Sequence, residues 1–326
     1  MTVTLLVGAI GLGTILLYGC LGEILTEKSG NLNLGIPGIM CVGTAGGCFG
    51  VSTYMNMVSS PEQASWILLI LIAVLGAALF AAALAAIYAF VTVSLRCNQN
   101  VTGLTVTIFG SGFSQFFMDE YVDNTFFARA SILFRRGIVP VSIPENFWAS
   151  LGQIFLSHGV LVYFAIVIAV VLNYILKRTK IGLNLRAVGE NPATADAMGI
   201  NVTKYKFIAI CVGGAIAGIG GLFYVMDFNV GSWENATTIE SYGWLAIALV
   251  IFTLWKPNLA IFGSFLFGAL FIAPNIISNI SFSTMKLFKL LPYVVTLVVL
   301  IVTSILGKKN VQPPASLGIN YFREER

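Results

Sequence analysis

Long apolar runs separated by short polar stretches are the dominant pattern along this chain. Nine such runs stand out, at residues 3–21, 35–53, 66–92, 101–117, 159–176, 207–226, 244–254, 259–280 and 291–306. About 18 or more apolar residues without charge is the length a helix needs to cross a bilayer. The run at 244–254 is short for a full crossing and reads as part of a broken or re-entrant element. A tenth, at 147–156, reads as interfacial. The predicted fold is all-α: a polytopic integral membrane protein of about nine (8–10) transmembrane helices, at least one of them broken or Gly-rich, forming a single domain over residues 1–326. Residues 1–21 lack a basic n-region and a small-residue cleavage site, so they read as a retained first span.

The polar stretches set a topology. Lys28, Arg96, Lys177, Arg178, Lys180, Arg186, Lys204, Lys206, Lys256, Lys308, Lys309, Arg323 and Arg326 fall in alternate loops. The other side carries only Arg129, Arg135, Arg136, Lys286 and Lys289. Basic residues accumulate on the cytoplasmic side, which places the N-terminus outside and the C-terminus inside. The segment 118–158 is then a long external loop, 177–206 a long cytoplasmic loop and 307–326 a cytoplasmic tail.

Composition narrows the function classes. Hydrophobic residues make up 57% of the chain and charged ones 10%, against roughly 25% charged in soluble domains, which excludes a water-exposed globular fold. The net charge of +4 is spread over loops and does not point to nucleic acid. The five cysteines (Cys20, Cys41, Cys48, Cys97 and Cys211) contain no CxxC pair, and His158 is the lone histidine, so packing explains them better than metal or redox chemistry. The chain has no GxxxxGK[ST] phosphate loop and no constellation for hydrolysis. It therefore reads as a transport subunit and not an enzyme, with no cofactor of its own. None of the 14 carboxylates, from Glu23 and Glu27 through Asp227 to Glu325, is placed mid-span. A proton-coupled carrier normally needs one there. Sodium coupling stays open, because carbonyls and hydroxyls alone bind sodium.

The cytoplasmic loop contains a short helix with both ends marked. Asn191 can cap it, Pro192 suits its first position, and Gly199 suits a left-handed closing position. About two turns lie between, including Ala195 and Asp196. So short a helix does not persist alone in water. It is either a connector lying on the protein's own surface or a small-residued helix that docks in a partner's groove.

Leu185-Arg-Ala-Val-Gly-Glu-Asn-Pro followed by Ala197-Met-Gly-Ile-Asn resembles the coupling-helix loop of ABC importer permeases, in the group that handles branched-chain amino acids, simple sugars and nucleosides. Gly22-Glu-Ile-Leu-Thr-Glu-Lys-Ser-Gly-Asn-Leu-Asn-Leu-Gly-Ile-Pro-Gly-Ile-Met40 is similar to the segment joining the first two spans of nucleoside permeases of the basic membrane protein type. Sugar permeases carry a Gly-Gly-Ile-Asp-Leu-Ser type of segment there, so Asn31-Leu-Asn-Leu-Gly35 favours nucleosides. Cys97–Leu104 and Tyr242–Phe252 also resemble stretches of this group. Many relatives have an acidic residue where Pro37 stands, so no role carries over to that position. The resemblance implies that Arg186, Gly189, Glu190, Asn191, Pro192, Ala195, Asp196 and Gly199 couple to an ATP-binding cassette subunit, which holds ATP and Mg. It also implies a second related permease subunit, an extracytoplasmic substrate-binding protein, and a bacterial cytoplasmic membrane as the location.

A substrate pathway can be sketched from the residues. Gly35, Pro37, Gly38, Gly43, Gly46, Gly47 and Gly50 fall in one apolar run, so that helix should be broken or very closely packed. Asn31, Asn33, Gly35 and Gly38 from this region join Asn98, Thr102, Thr105 and Phe109 of the fourth run as pathway residues. Phe113 and Phe116 share that helix and could stack on a base or simply face lipid. The expected function is permease subunit of an ATP-driven nucleoside importer. The alternatives are a simple-sugar (ribose-type) ABC permease and a self-contained sodium-coupled carrier.

Overall fold

In the computed structural model the described residues are 2–58, 64–137, 147–276, 284, 287–288, 290–306 and 312–322. The ends of the eighth run and of the tail lie outside them, as do Glu62, Glu145, Lys286, Lys289, Lys308, Lys309, Arg323, Glu324, Glu325 and Arg326. The described residues form helices and no strand. In order these are α1 (Thr2–Glu27), α2 (Ile36–Met57), α3 (Trp66–Ala89), α4 (Gln99–Tyr121), α5 (Phe127–Phe134), α6 (Phe147–Leu156), α7 (Val160–Arg178), α8 (Lys180–Glu190), α9 (Pro192–Ala197), α10 (Val202–Phe223), α11 (Ala236–Phe252), α12 (Pro257–Ile276) and α13 (Leu291–Leu306). Five-residue π-helical turns extend α3 (Phe90–Ser94) and α10 (Tyr224–Phe228).

Within the described residues each of the nine apolar runs is helical over most of its length, as is the interfacial stretch, which coincides with α6. Six helices among the described residues are long and apolar enough to cross a membrane: Val3–Glu27, Ile36–Met57, Trp66–Ser94, Val160–Arg178, Val202–Phe228 and Pro257–Pro274. The expected count of about nine is not reached on those criteria. α11 and the apolar part of α13 are shorter than a full crossing, and α4 is interrupted by amide and hydroxyl side chains such as Asn100, Thr102, Thr105, Thr107 and Gln115. The stretch at 244–254 is not a broken element. Residues 244–252 are the C-terminal part of α11, which begins at Ala236 under an Asn235 cap, and 253–254 belong to the turn that follows.

The centre of the bundle is α1, α2, α3 and α10, with α12 against α1 and α4 against α2. In lipid, helices gain little from apolar burial and associate through close packing and hydrogen bonds. Small residues supply that closeness here. Gly43 lies on Gly218, Gly46 on Gly76, Gly22 on Gly213, and Gly38 on Gly110. A Cβ added to Gly43 would fall inside the Gly218 backbone. Thus α2 is not broken; of the two expectations for its glycines, close packing holds. α3 shows the same logic inverted. Its small Ala73, Ala77 and Ala81 face inward at four-residue spacing, while Ile67, Leu71, Leu75 and Leu79 are exposed.

No described charged residue lies at the middle of these spans, but several lie inside their ends, which the expected bounds leave outside. α1 continues past residue 21 to Glu27, so Glu23 and Glu27 lie within a span and are buried, as is Lys206 near the start of α10. Asp227 lies in the π turn that ends the α10 span. Specific donors make this tolerable: Asn33 N donates to Glu23 Oε1 at 3.0 Å and Trp255 Nε1 donates to Glu27 Oε2. The argument against proton coupling therefore holds only for the middle of the spans.

Candidate functional site

The segment 28–35 between α1 and α2 is non-helical yet embedded. Ser29, Asn31 and Asn33 are almost completely buried. Irregular backbone at such a depth must find its hydrogen bonds in neighbouring protein or along a cavity. Much of that demand is met. Leu32 N donates to Gln99 Oε1 at 2.8 Å, Tyr88 OH donates to Leu32 O at 2.5 Å, and Thr107 Oγ1 donates to Leu34 O at 2.7 Å. Asn33 Oδ1 accepts from Gly35 N at 2.9 Å, closing the turn into α2. Asn31 Nδ2 donates to Thr92 Oγ1 at 3.4 Å. Three buried atoms here have no hydrogen-bond partner: Glu23 Oε2, Asn31 Oδ1 and Asn33 Nδ2. Asn31 also lines a cleft of about 790 Å³, whereas Glu23 and Asn33 are fully buried, with the Glu27 carboxyl a hydrogen-bonding neighbour of Glu23.

The structure does not bring the two halves of the expected pathway together. Asn31, Asn33, Gly35 and Gly38 are buried in the bundle, whereas Asn98, Thr105 and Phe109 are exposed and Thr102 half-buried on the other face of α4. The reason is the stripe Gly103, Val106, Thr107, Gly110 and Ser114, whose small or hydroxylated side chains seat α4 on α2. Ser114 Oγ donates to Cys41 O at 2.8 Å, and a Cβ on Gly110 would lie 2.5 Å from Gly38 O. Asn98 instead caps α4, accepting from Asn100 N and Val101 N. The Thr102 and Thr105 hydroxyls donate to the carbonyls one turn back. Phe109, Phe113, Phe117 and Tyr121 form a ladder of stacked rings with centroids 5.9, 5.4 and 5.4 Å apart. Phe116 is off this ladder, edge-on to Tyr121.

At one end of the bundle the basic loops converge. α9 runs from Pro192 to Ala197; Asn191 Oδ1 accepts from Thr194 N at 3.0 Å, and Gly199 has φ +81°. Ala195 is buried against Val188 and Val202, while Ala193, Thr194, Ala197 and Met198 face outward. α9 thus rests on the protein's own surface through Ala195 and turns a small-residued face outward. α8, which precedes it, was not expected. Its cap is Thr179, whose hydroxyl accepts from Gly182 N at 3.1 Å. Arg186 and Glu190 of α8 line a cleft of about 360 Å³ with Lys28, Lys177, Trp255 and Lys256. Burial there pushes the Lys28 ammonium below its ordinary value, opposed by Glu190.

The tail at 314–322 crosses this end as a strap that sequence reasoning missed. Ser316 N donates to Gly189 O at 3.0 Å, and Ala315 N to Glu190 Oε2 at 3.4 Å. Gln99 Nε2 donates to Asn320 Oδ1 at 3.0 Å; Asn320 Nδ2 donates to Arg96 O at 2.6 Å; Tyr321 OH donates to Asp196 Oδ2 at 2.8 Å. The α8–α9 loop is thereby linked through the strap, by Tyr321, Asn320 and Gln99, to Leu32 in the buried segment. Glu23 and Gln99 are further residues that were not singled out. The signal for Glu23 was its four-residue spacing from Glu27 on the last turns of an apolar run.

Among the described residues no cluster of His, Cys, Asp or Glu could hold a metal. His158 Nε2 lies 3.0 Å from Ile154 O, and burial holds its imidazole below the usual value. Asn235 caps α11, accepting from Thr238 N at 2.9 Å.

Apolar helices with polar groups buried between them, and with interhelical contacts made by glycine, define a multi-pass membrane protein. The chain belongs to the family described as branched-chain amino acid transport system / permease component, whose model matches residues 5–302. It is 33% identical over 261 residues to the proposed glucose ABC transporter permease TsgC13 of Haloferax volcanii, covering 79% of this chain and 72% of that one. It is 30% identical to the nucleoside ABC transporter permease NupC of Lactococcus lactis over 96% of this chain and 94% of that one. It is 29% identical to the guanosine ABC transporter permease NupQ of Bacillus subtilis over 95% and 94%. No solved structure matches.

Proposed function

We propose that this chain is one membrane-spanning subunit of an ATP-driven importer of nucleosides. α9 carries the reading: a capped helix seated by Ala195, showing small side chains outward at the most basic end of the bundle. That end, with the C-terminal strap, faces the cytoplasm, where α8 and α9 meet an ATP-binding subunit that holds ATP and Mg. A second related permease packs beside the chain, and a substrate-binding protein delivers to the opposite side. The exposed ladder and hydroxyl face of α4 suit the permease partner better than a closed path within this subunit. Glu23, Asn31 and Asn33, with their unpartnered atoms, are the pathway residues of this chain.

Nucleosides are favoured because the nucleoside and guanosine permeases align along nearly the whole of both chains. A simple sugar is the second reading, supported by the 33% identity to the proposed glucose permease over a shorter stretch. The test is inosine uptake with ribose as competitor, in cells carrying the wild type or Ala195→Pro, with membrane level and co-purifying ATP-binding subunit measured. Loss of both uptake and co-purification, with the chain still inserted, supports the reading. Normal uptake with α9 broken would sink it and favour a sodium-coupled carrier. Ribose competing as well as inosine would move the substrate to sugars.

A further inference from the structure

A second cleft, of about 790 Å³, opens between the turn after α3, the start of α10 and the strap. Arg96, Lys204 and Lys206 line it. Lys206 is 3% exposed, and among the described residues it makes no hydrogen bond or ion pair. Its stem is buried while its ammonium opens to the cleft, where no protein anion among the described residues pairs with it and a diffusible one can reach it. Arg96 is held at φ 58°, a left-handed conformation that a non-glycine residue adopts only when its surroundings enforce it. Its carbonyl is tied to Asn320, and its guanidinium sits 5.0 Å from the Phe322 ring centroid.

Neutral donors complete the wall. Lys204 N is taken by Asn201 Oδ1 at 2.9 Å, but Val202 and Thr203 also line the cleft, and first-turn N–H groups have no intrahelical acceptor. Asn31, 1% exposed and with Oδ1 unpartnered, reaches the same space from the buried α1–α2 segment. Asp196 lines it too, accepting from Tyr321 OH. Three cations, a helix N-terminus and a single carboxylate match a group with several charged oxygens better than one carboxylate ligand. Phe207 and Ile208 on one wall add an apolar surface next to the charge.

We propose that this cleft binds a phosphate-bearing anion through Lys206, Lys204 and Arg96. The phosphate comes either from a soluble phosphate ester or from an anionic lipid headgroup. The same atoms link it to transport, since the site touches both the coupling loop at Gly199 and the buried segment at Asn31. The inference is independent of which substrate is carried.

The test uses the full chain in complex with its ATP-binding subunit, reconstituted in nanodiscs of phosphatidylcholine with or without phosphatidylglycerol. Binding of inorganic phosphate and uridine monophosphate is measured by calorimetry, and co-purified lipid by mass spectrometry. Wild type, Lys206→Gln and the exposed Lys204→Gln are compared, so that binding by the ATP-binding subunit cancels. The expected result is binding weakened about tenfold or more in each variant, as for loss of one charge-assisted hydrogen bond. Binding of the soluble probes assigns the soluble source. Phosphatidylglycerol retained by wild type and lost from the variants, with no binding of the soluble probes, assigns the lipid. Neither probe nor lipid bound in a variant-sensitive way overturns the proposal.

Discussion

The Trp255 indole N–H donates to Glu27 Oε2, joining the last turn of α1 to the tight turn between α11 and α12. The pairing answers two demands at once. A carboxylate on a buried turn needs a donor, and Leu254 and Trp255 both hold positive φ (55° and 54°), which needs outside support. Trp255 N–H donates to Val250 O and Leu254 N–H to Ile251 O, so backbone and side chain brace the same turn. Trp255→Phe keeps the ring but removes the indole donor, leaving Glu27 with the Glu23 carboxyl as its remaining side-chain partner. It should lower stability by about 1–3 kcal/mol, read as a fall in the thermal midpoint of the purified chain. Glu27→Gln, which keeps an acceptor oxygen, should cost less. Equal losses would show that the bond itself contributes little.

Helix contact through glycine makes a matched pair. A methyl on Gly43 meets the Gly218 backbone, which no side-chain rotation can relieve, whereas nothing lies within 4 Å of a Cβ on Gly112. Gly43→Ala should destabilise by about 1–3 kcal/mol through forced separation of α2 and α10. Gly112→Ala should be neutral or slightly stabilising, since alanine is the better helix former. Thermal unfolding of the two variants side by side checks this, and a neutral Gly43→Ala would contradict the packing described.

The strap predicts a functional defect far from any span. Asn320→Ala removes one acceptor and one donor, leaving Gln99 Nε2 and the Arg96 carbonyl unmatched. Stability should fall by about 1–3 kcal/mol, and substrate uptake should fall further than the membrane level of the chain. Uptake that tracks the membrane level alone would make the strap a purely structural tie.

The bundle was legible because its signal is crude and repeated: long apolar runs give helices whatever their neighbours. The capped α9 was legible for a different reason, since Asn191, Pro192 and Gly199 act locally and their chemistry does not depend on tertiary structure. What escaped was relational. The hydroxyls of Thr102 and Thr105 mark a polar face of α4, but Gly103 and Gly110, which decide the seated face, act only opposite Gly35, Gly38 and Leu34. Likewise, the end of the first span was drawn too early at residue 21, because the donors that let Glu23 and Glu27 stay buried come from Asn33 and Trp255. The strap escaped because 314–322 has no apolar period and draws its order from Gly30, Gly189, Arg96 and Asp196.

Glu23 gives the sharpest separation between structure and transport. Its Oε1 accepts from Asn33 N and shapes the buried segment, while Oε2 is buried without a partner. The Glu27 carboxyl is a hydrogen-bonding neighbour of the same side chain, so the open position of Glu23 has two candidate occupants, that carboxyl and a substrate hydroxyl, which substitution separates. Glu23→Gln keeps one oxygen for the Asn33 amide and turns the open acceptor into a donor. If that acceptor receives a substrate hydroxyl, the variant should fold with unchanged thermal midpoint and bind the ATP-binding subunit normally. Its uptake should fall several-fold, the value of about one hydrogen bond. Glu23→Ala should lose uptake and also stability, because the Asn33 amide is then orphaned. Radiolabelled nucleoside uptake, normalised to membrane protein, separates the two effects. Wild-type uptake in Glu23→Gln would assign Oε2 to the Glu27 carboxyl and remove Glu23 from the pathway.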